Sequence, residues 1–354
     1  MSVMNQEPAL ELLLRTWEEV LDLEDLAAAC RTLEKAGYRL YGAPIEIALA
    51  DSDSIQRDGI PVLDASGGEV VAYVRFGVGE APSDRPLDQL FLRLVSWSIV
   101  HNRLRQASQQ RQELVEALRV ARRILEESLP KGKLGFNGWE ITGCLRPALH
   151  LGGDLYSYTA GQRNVRFLLA DAVGHGLDST LLVSECRALW RASASYDQDF
   201  ASEISHLSNL LYENTGAERY VAATFGRCHG DGSVDLILCG QSPQFVLRGH
   251  RLEKLEEPDL PLGLFPDQEF RVQQVPLEPG QALLLVSDGV LDLRTRAGDT
   301  FGEEGVAAVA RPPYPCSQRI IHDLLAAIDH FSDVETARDD ICALALIRKP
   351  EQTV

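Results

Sequence analysis

The spacing of apolar residues changes several times along the chain, and each change predicts a different element. Leu10, Leu13, Leu14, Trp17 and Leu21 recur at three- and four-residue steps, which predicts an opening helix with one apolar stripe. Leu26, Cys30 and Leu33 repeat on one face behind Asp25, a predicted N-cap, and Gly37 stands where that second helix is expected to stop. The period then falls to two. Ile45, Ile47 and Leu49 alternate with Glu46 and Ala48, and Val70 to Phe76 is rich in β-branched and aromatic residues, so strands are expected. Helical spacing returns from about Leu87 to Leu129, with no Pro or Gly between Leu87 and Ser128. Within it Leu104, Ala107, Leu114, Leu118, Ala121 and Leu125 form a seam in which Arg111 is the single polar intrusion. Such a seam suits either a two-chain coiled coil or a helix packed on its own domain. Pro130, Gly132, Gly135 and Gly138 then end the helix.

Residues from about Phe136 to Arg348 mix both periods. Val165, Phe167 and Leu169 alternate, as do Val234, Leu236 and Leu238, whereas Ala282 to Val286 and Ile341 to Ile347 are apolar throughout, as strands buried on both faces are. Two helices are expected between the strands, one carrying Leu182, Cys186, Leu189 and Trp190 behind Asp178, the other Leu324, Leu325, Ile328 and Phe331. The expected organisation is an N-terminal sensory domain over 1–100, a linker helix over 101–130 and a larger α+β domain over 131–350. The stretch Gly-Glu-Val-Val-Ala-Tyr-Val-Arg-Phe (68–76), followed by a helix, resembles GAF sensory domains, whose ligand here is unknown.

Composition narrows the function. A formal charge of −18 over 354 residues, with no basic stripe, disfavours nucleic acid as a partner. No apolar run approaches the ~20 residues of a membrane span, and the acidic N-terminus lacks the pattern of a secretory signal, so a cytoplasmic location is expected. Seven cysteines at scattered positions, with no Cys-x-x-Cys pair, suit buried thiols and not a zinc site or a disulfide frame.

The candidate chemistry is acidic. Asp154 lies in Gly-Gly-Asp (152–154), Asp171 opens Asp-Ala-Val-Gly-His-Gly (171–176), Asp288 lies in Ser-Asp-Gly-Val (287–290), and Asp339 and Asp340 precede the last apolar run. Asp171 and Asp288 follow strand C-termini and Asp339 precedes a strand N-terminus, so an antiparallel sheet could bring them to one edge. Carboxylates so gathered raise one another's pKa unless a cation neutralises them, and an all-oxygen donor set favours magnesium or manganese.

Taken in order, Leu-Pro-Lys-Gly-Lys-Leu-Gly-Phe-Asn-Gly-Trp-Glu (129–140), Leu-Arg-Pro-Ala (145–148), Gly-Gly-Asp-Leu-Tyr, Asp-Ala-Val-Gly-His-Gly, Pro-Leu-Gly-Leu (261–264), the run ending Ser-Asp-Gly-Val and Asp-Asp-Ile-Cys-Ala-Leu closely resemble the PPM-type metal-dependent protein phosphatases of the SpoIIE-like bacterial branch. The resemblance implies an α-β-β-α sandwich of two antiparallel sheets flanked by helices. It further implies two Mn²⁺ or Mg²⁺ ions, with Asp171 bridging both and the carbonyl of Ala172 assisting. Asp154 would hold one ion directly or through water, and Asp288 and Asp339 the other. The implied substrate is phosphoserine or phosphothreonine on a partner, an anti-sigma-factor antagonist in this branch. The alternative is a catalytically silent scaffold that binds such a partner, and a third reading is a regulator whose first domain binds a ligand without turnover. His175 is a further candidate for proton transfer, with a turn-stabilising role as its alternative, and Arg146 a candidate for phosphate binding, with a solvated strand side chain as its alternative. Three departures from the family pattern are Leu-Asp-Ser-Thr (177–180), Gln241 and Cys342.

Overall fold

The computed structural model describes residues 7–23, 25–41, 44–50, 60–63, 70–76, 86–149, 151–161, 164–174, 176–194, 199–215, 218–241, 243–255, 258–309, 311–331 and 339–349. These form two compact units that divide at Ala117 and Leu118. Among the described residues no helix is long and apolar enough to cross a membrane.

The first unit opens with α1 (Glu7–Leu21) and α2 (Leu26–Tyr41), and β1 (Ile45–Leu49), β2 (Ile60–Leu63) and β3 (Val70–Phe76) form an antiparallel sheet in the order β1-β3-β2. Asp25 caps α2 as its sequence position predicts: its carboxylate accepts from the backbone N–H groups of Ala27 and Ala28, both at 3.1 Å. Gly37 differs from expectation. It lies inside α2, and a Cβ there would sit 2.4 Å from Ile45 Cδ1 and 2.9 Å from Phe91 Cζ, so the glycine lets helix and sheet close together and does not end the helix. The α1 stripe is also rotated from its expected centre. Leu13 and Val20 enter the core, whereas Leu10 and Leu14 are exposed and line a groove of about 410 Å³ with Trp17, Leu90, Leu94 and Trp97.

A single helix, α3 (Pro86–Ser128), covers 43 residues. Its N-terminal part contributes Phe91, Leu94, Val95 and Ile99 to the core of the first unit. The predicted seam does not behave as one surface: Leu104 and Leu114 are 65% and 60% exposed, whereas Leu125 is buried. The last turn is clamped by Arg187, whose guanidinium donates to Ser128 Oγ at 2.9 Å and to the Ser128 carbonyl.

The second unit contains two antiparallel sheets. The first joins β4 (Lys133–Phe136), β5 (Trp139–Arg146), β10 (Gln244–Arg248), β11 (Arg251–Leu255), β13 (Ala282–Val286) and β14 (Ile341–Arg348) in the order β11-β10-β13-β14-β5-β4. The other joins β6 (Asp154–Ala160), β7 (Val165–Ala172), β8 (Val221–Cys228), β9 (Ser233–Cys239) and β12 (Gln273–Pro276) in the order β12-β9-β8-β7-β6. Helices α4 (Leu177–Ser193) and α5 (Phe200–Thr215) accompany the five-stranded sheet, and the short α6 (Asp288–Leu291), α7 (Gly302–Ala307) and α8 (Ser317–Phe331) accompany the six-stranded one. This is the expected α-β-β-α sandwich. The all-apolar runs follow from it. On β14, Cys342, Leu344 and Leu346 face the core shared with the second sheet, while Ile341, Ala343, Ala345 and Ile347 face α8, so neither face meets water.

One buried ionic group ties α4 and α5 to their sheet. Glu203 of α5 accepts from Arg166 of β7 at 2.5 Å and from Arg227 of β8, and the two guanidiniums lie over the rings of Trp190 and Phe200 at 3.7 and 4.4 Å. Burial lowers the pKa of Arg166, and Glu203 opposes that effect. Removing the one acid would leave two cations confined without a counter-charge. Glu203→Gln is therefore expected to destabilise the second unit by about 3–5 kcal/mol, measured as a fall in the urea midpoint at unchanged m-value; a midpoint equal to that of the parent would show that the group is solvated.

Candidate functional site

The candidate acids meet at one end of the sandwich and come from both sheets, not from a single sheet edge as the sequence suggested. Asp154 begins β6 and pairs in register with Asp171 near the end of β7. Asp288 opens α6 just beyond β13, and Asp339 and Asp340 lead into the neighbouring strand β14. Ala172, the expected carbonyl donor, closes β7 and is buried, its N–H bound to the Gly153 carbonyl at 3.0 Å.

Asp340 holds the two sheets in this arrangement. Its carboxylate accepts from the N–H of Ala148 at 2.8 Å and of Asp154 at 3.3 Å, reaching across to the loop before β6. Gly152 makes the contact possible, because a Cβ at that position would lie 1.7 Å from Asp340 Oδ2. Ser287 locks the other side: its Oγ accepts from the Cys342 N–H at 3.1 Å and donates to the Asp340 carbonyl at 3.2 Å. From α4, the Thr180 hydroxyl lies 2.7 Å from the Gly152 carbonyl and 2.7 Å from that of Gly176. Sequence reading named Asp340 without giving it a task and gave none to Ser287. Their partners lie far away in the chain, and the glycine pair at 152 and 153 was the only local signal of close packing.

The departures from the family pattern find partners here too. Gln241 Oε1 accepts from Thr224 Oγ1 at 2.9 Å and from Gln244 Nε2 at 3.2 Å, and Gln244 Oε1 accepts from the Val286 N–H at 2.8 Å. A chain of amides thus runs from the five-stranded sheet to the strand end that precedes Asp288. Cys342 is wholly buried, which pushes its thiol pKa well up and leaves it a packing residue. Arg146 pairs through both terminal nitrogens with Asp329, at 2.5 and 3.3 Å, so a carboxylate already fills the fork expected to bind phosphate. His175 lies outside the described residues.

Electrostatics mark the site as strained. Burial pushes the Asp154 carboxyl well above its ordinary value, and the charges of Asp171, Asp340 and Asp288 add to that. Asp171 is raised to about 7, by burial first and then by Asp288 and Asp339. Asp288 rises by burial and the Asp339 charge. Asp340 rises by burial, with the N–H groups of Ala148 and Asp154 working against it. Two carboxylate oxygens, Asp154 Oδ2 and Asp288 Oδ1, are buried without a hydrogen-bond partner among the described residues. Unsatisfied buried acceptors beside like charges fit a hard cation. No group of three or more His, Cys, Asp or Glu side chains among the described residues is already arranged around a single point. Magnesium-type ions keep several waters and take only one or two carboxylates each, so the donor set still suits them.

The model of the family described as Stage II sporulation protein E (SpoIIE) matches residues 161–349, more than half of the chain. The chain belongs to the SpoIIE family. Protein IcfG of Synechocystis sp. is 20% identical over 94% of this chain and 59% of its own length. Phosphoserine phosphatase RsbU of Bacillus subtilis is 22% identical over 70% of this chain and 74% of its own. Among solved structures, the SiaA-PP2C domain of Pseudomonas aeruginosa superposes with a TM-score of 0.58 at 20% identity, covering 69% of this chain and 99% of that domain. The second unit is accordingly a SpoIIE-type PP2C phosphatase domain in fold. The family match says nothing of the GAF-like reading of the first unit.

The raised acids have a measurable consequence in this SpoIIE-type domain. A carboxyl raised from 3.8 to about 7 keeps its proton in the folded chain where the unfolded chain has released it, so its contribution to stability is complete below pH 3.8 and is lost as pH rises through about 7. In chelator-treated protein, Asp171→Asn is expected to melt higher than the parent near pH 8 and to lose that advantage near about pH 4. Added Mn²⁺ should raise the Tm of the parent more at the higher pH and that of the variant less. A Tm difference that stays flat across this range would contradict the electrostatic reading.

Proposed function

We propose that the second unit is a metal-dependent protein serine/threonine phosphatase, and the observation that carries this reading is the pair of buried carboxylate oxygens on Asp154 and Asp288, beside Asp171, that have no hydrogen-bond partner among the described residues. Asp171 would hold both of two Mn²⁺ or Mg²⁺ ions with the Ala172 carbonyl as a further ligand, Asp154 would hold one of them directly or through water, and Asp288 and Asp339 the other. Ions held there would supply an activated water and would offset charge on the phosphoryl oxygens. The chain itself fixes the acids: Asp340 sets the loop that carries Asp154, and Ser287 sets the turn that carries Asp288. Similarity to a relative named phosphoserine phosphatase supports phosphoserine as the group removed; phosphothreonine beside it and an anti-sigma-factor antagonist as the protein that carries them are what the resemblance to the SpoIIE-like branch implies, and the reaction would run in the cytoplasm. The first unit would receive an unidentified ligand or partner and act on the phosphatase through α3, whose exposed Leu104 and Leu114 would pair with a second copy in a homodimer.

Phosphate release from p-nitrophenyl phosphate is expected with Mn²⁺ or Mg²⁺ and to vanish in excess chelator. Asp171→Asn should lower it by about a hundredfold or more. Turnover that survives chelation would overturn the metal assignment, and a parent chain inert with either ion would favour the silent scaffold. Leu114→Glu with Leu118→Glu should convert a dimer to a monomer in analytical ultracentrifugation, whereas a monomeric parent excludes the two-chain coil.

A further inference from the structure

The helix that supports the acidic loop has an outer face not used so far. Ser179 and Thr180 of α4 are buried against Gly152 and Gly153, which turns Leu177 and Leu181 outward, where they are 50% and 61% exposed. Val173, two residues beyond Asp171, is also exposed, at 37%, and its N–H is held by the Tyr220 carbonyl at 3.1 Å. The apolar strip is short. At the next turn Glu185 accepts from Asn214 at 2.6 Å, and beside Leu177 the exposed Asp178 pairs with Arg219 at 3.4 Å. The exposed large hydrophobics of the helix thus lie within its first two turns.

We infer that Val173, Leu177 and Leu181 form a docking strip for the phosphoprotein substrate, and that they receive apolar side chains flanking its phosphorylated residue. This rests on the phosphatase reading above. The occupant follows from position: Val173 lies two residues beyond Asp171, and Leu177 opens the helix whose Ser179 and Thr180 pack on Gly153 and Gly152 next to Asp154, so a macromolecule delivering phosphate to Asp171 would cover them. Its chemistry follows from charge. A chain of net charge −18 repels acidic flanks, and the strip itself offers no charge to recognise, so burial of apolar area is what distinguishes one substrate from another. A small phosphate ester reaches the acids without touching the strip.

Two synthetic phosphoserine peptides of equal length and charge, one with leucine and valine beside the phosphoserine and one with serine and glutamine there, test the inference alongside p-nitrophenyl phosphate. The full chain with Mn²⁺ is expected to prefer the apolar peptide by about tenfold or more in kcat/KM. In Leu177→Gln with Leu181→Gln that preference should fall to near unity while p-nitrophenyl phosphate turnover is unchanged; Leu177→Met with Leu181→Met should retain the preference. Equal use of both peptides by the parent, or a preference that survives the glutamine pair, overturns the docking strip and leaves the phosphatase intact. Loss of p-nitrophenyl phosphate turnover in the glutamine pair also overturns it, because the leucines then support the site and not the substrate. A parent chain inert toward all three substrates overturns the phosphatase reading, and the strip with it.

Discussion

The carboxylate of Asp340 is the constraint on which this site depends. It belongs to the six-stranded sheet, yet it satisfies N–H groups in the loop that enters the five-stranded one. A buried acid with its own pKa raised is a costly tie, and it is kept where no hydrophobic contact could substitute, because only an acceptor can satisfy the N–H donors of Ala148 and Asp154 away from water. Three of the other acids take their places from this join. Asp154 follows from its N–H, Asp171 from its register with Asp154, and Asp288 from Ser287, which binds the Asp340 carbonyl.

Ordinary folding forces oppose the arrangement that results. Like charges share a poorly hydrated end of the sandwich, and two of their oxygens have no donor among the described residues. The surrounding structure supplies the compensation: two cores that leave β13 and β14 dry on both faces, and the Arg166–Glu203–Arg227 group that fixes α4 and α5. Rigidity there is what permits repulsion here.

Features set by local periodicity could be read from the sequence. The two-sided runs at Ala282 to Val286 and Ile341 to Ile347 announced a sheet buried on both faces, and Asp25 announced its cap. Features set by distant contact could not be read this way. A glycine that ends a helix and one that admits a neighbour look alike, so Gly37 misled until Ile45 and Phe91 were placed against it. Asp340 is 186 residues from Asp154, and no local spacing links them. The heptad-like seam of α3 was visible, but not its division into an exposed stretch and a turn buried in the phosphatase unit. The same apolar leucine serves either surrounding.

The Arg187 clamp on Ser128 makes α4 a lever. Its 17 residues span roughly 25 Å. Seven residues apart on it, roughly 10 Å, Arg187 grips the final turn of α3 and Thr180 grips the Gly152 carbonyl, two residues from Asp154. A tilt of the final turn of α3 would therefore be felt at Gly152 through Arg187, the helix and Thr180, and not through any acid's own side chain. Control of the acidic end can thus be exerted through geometry alone, from a point that carries none of its charge.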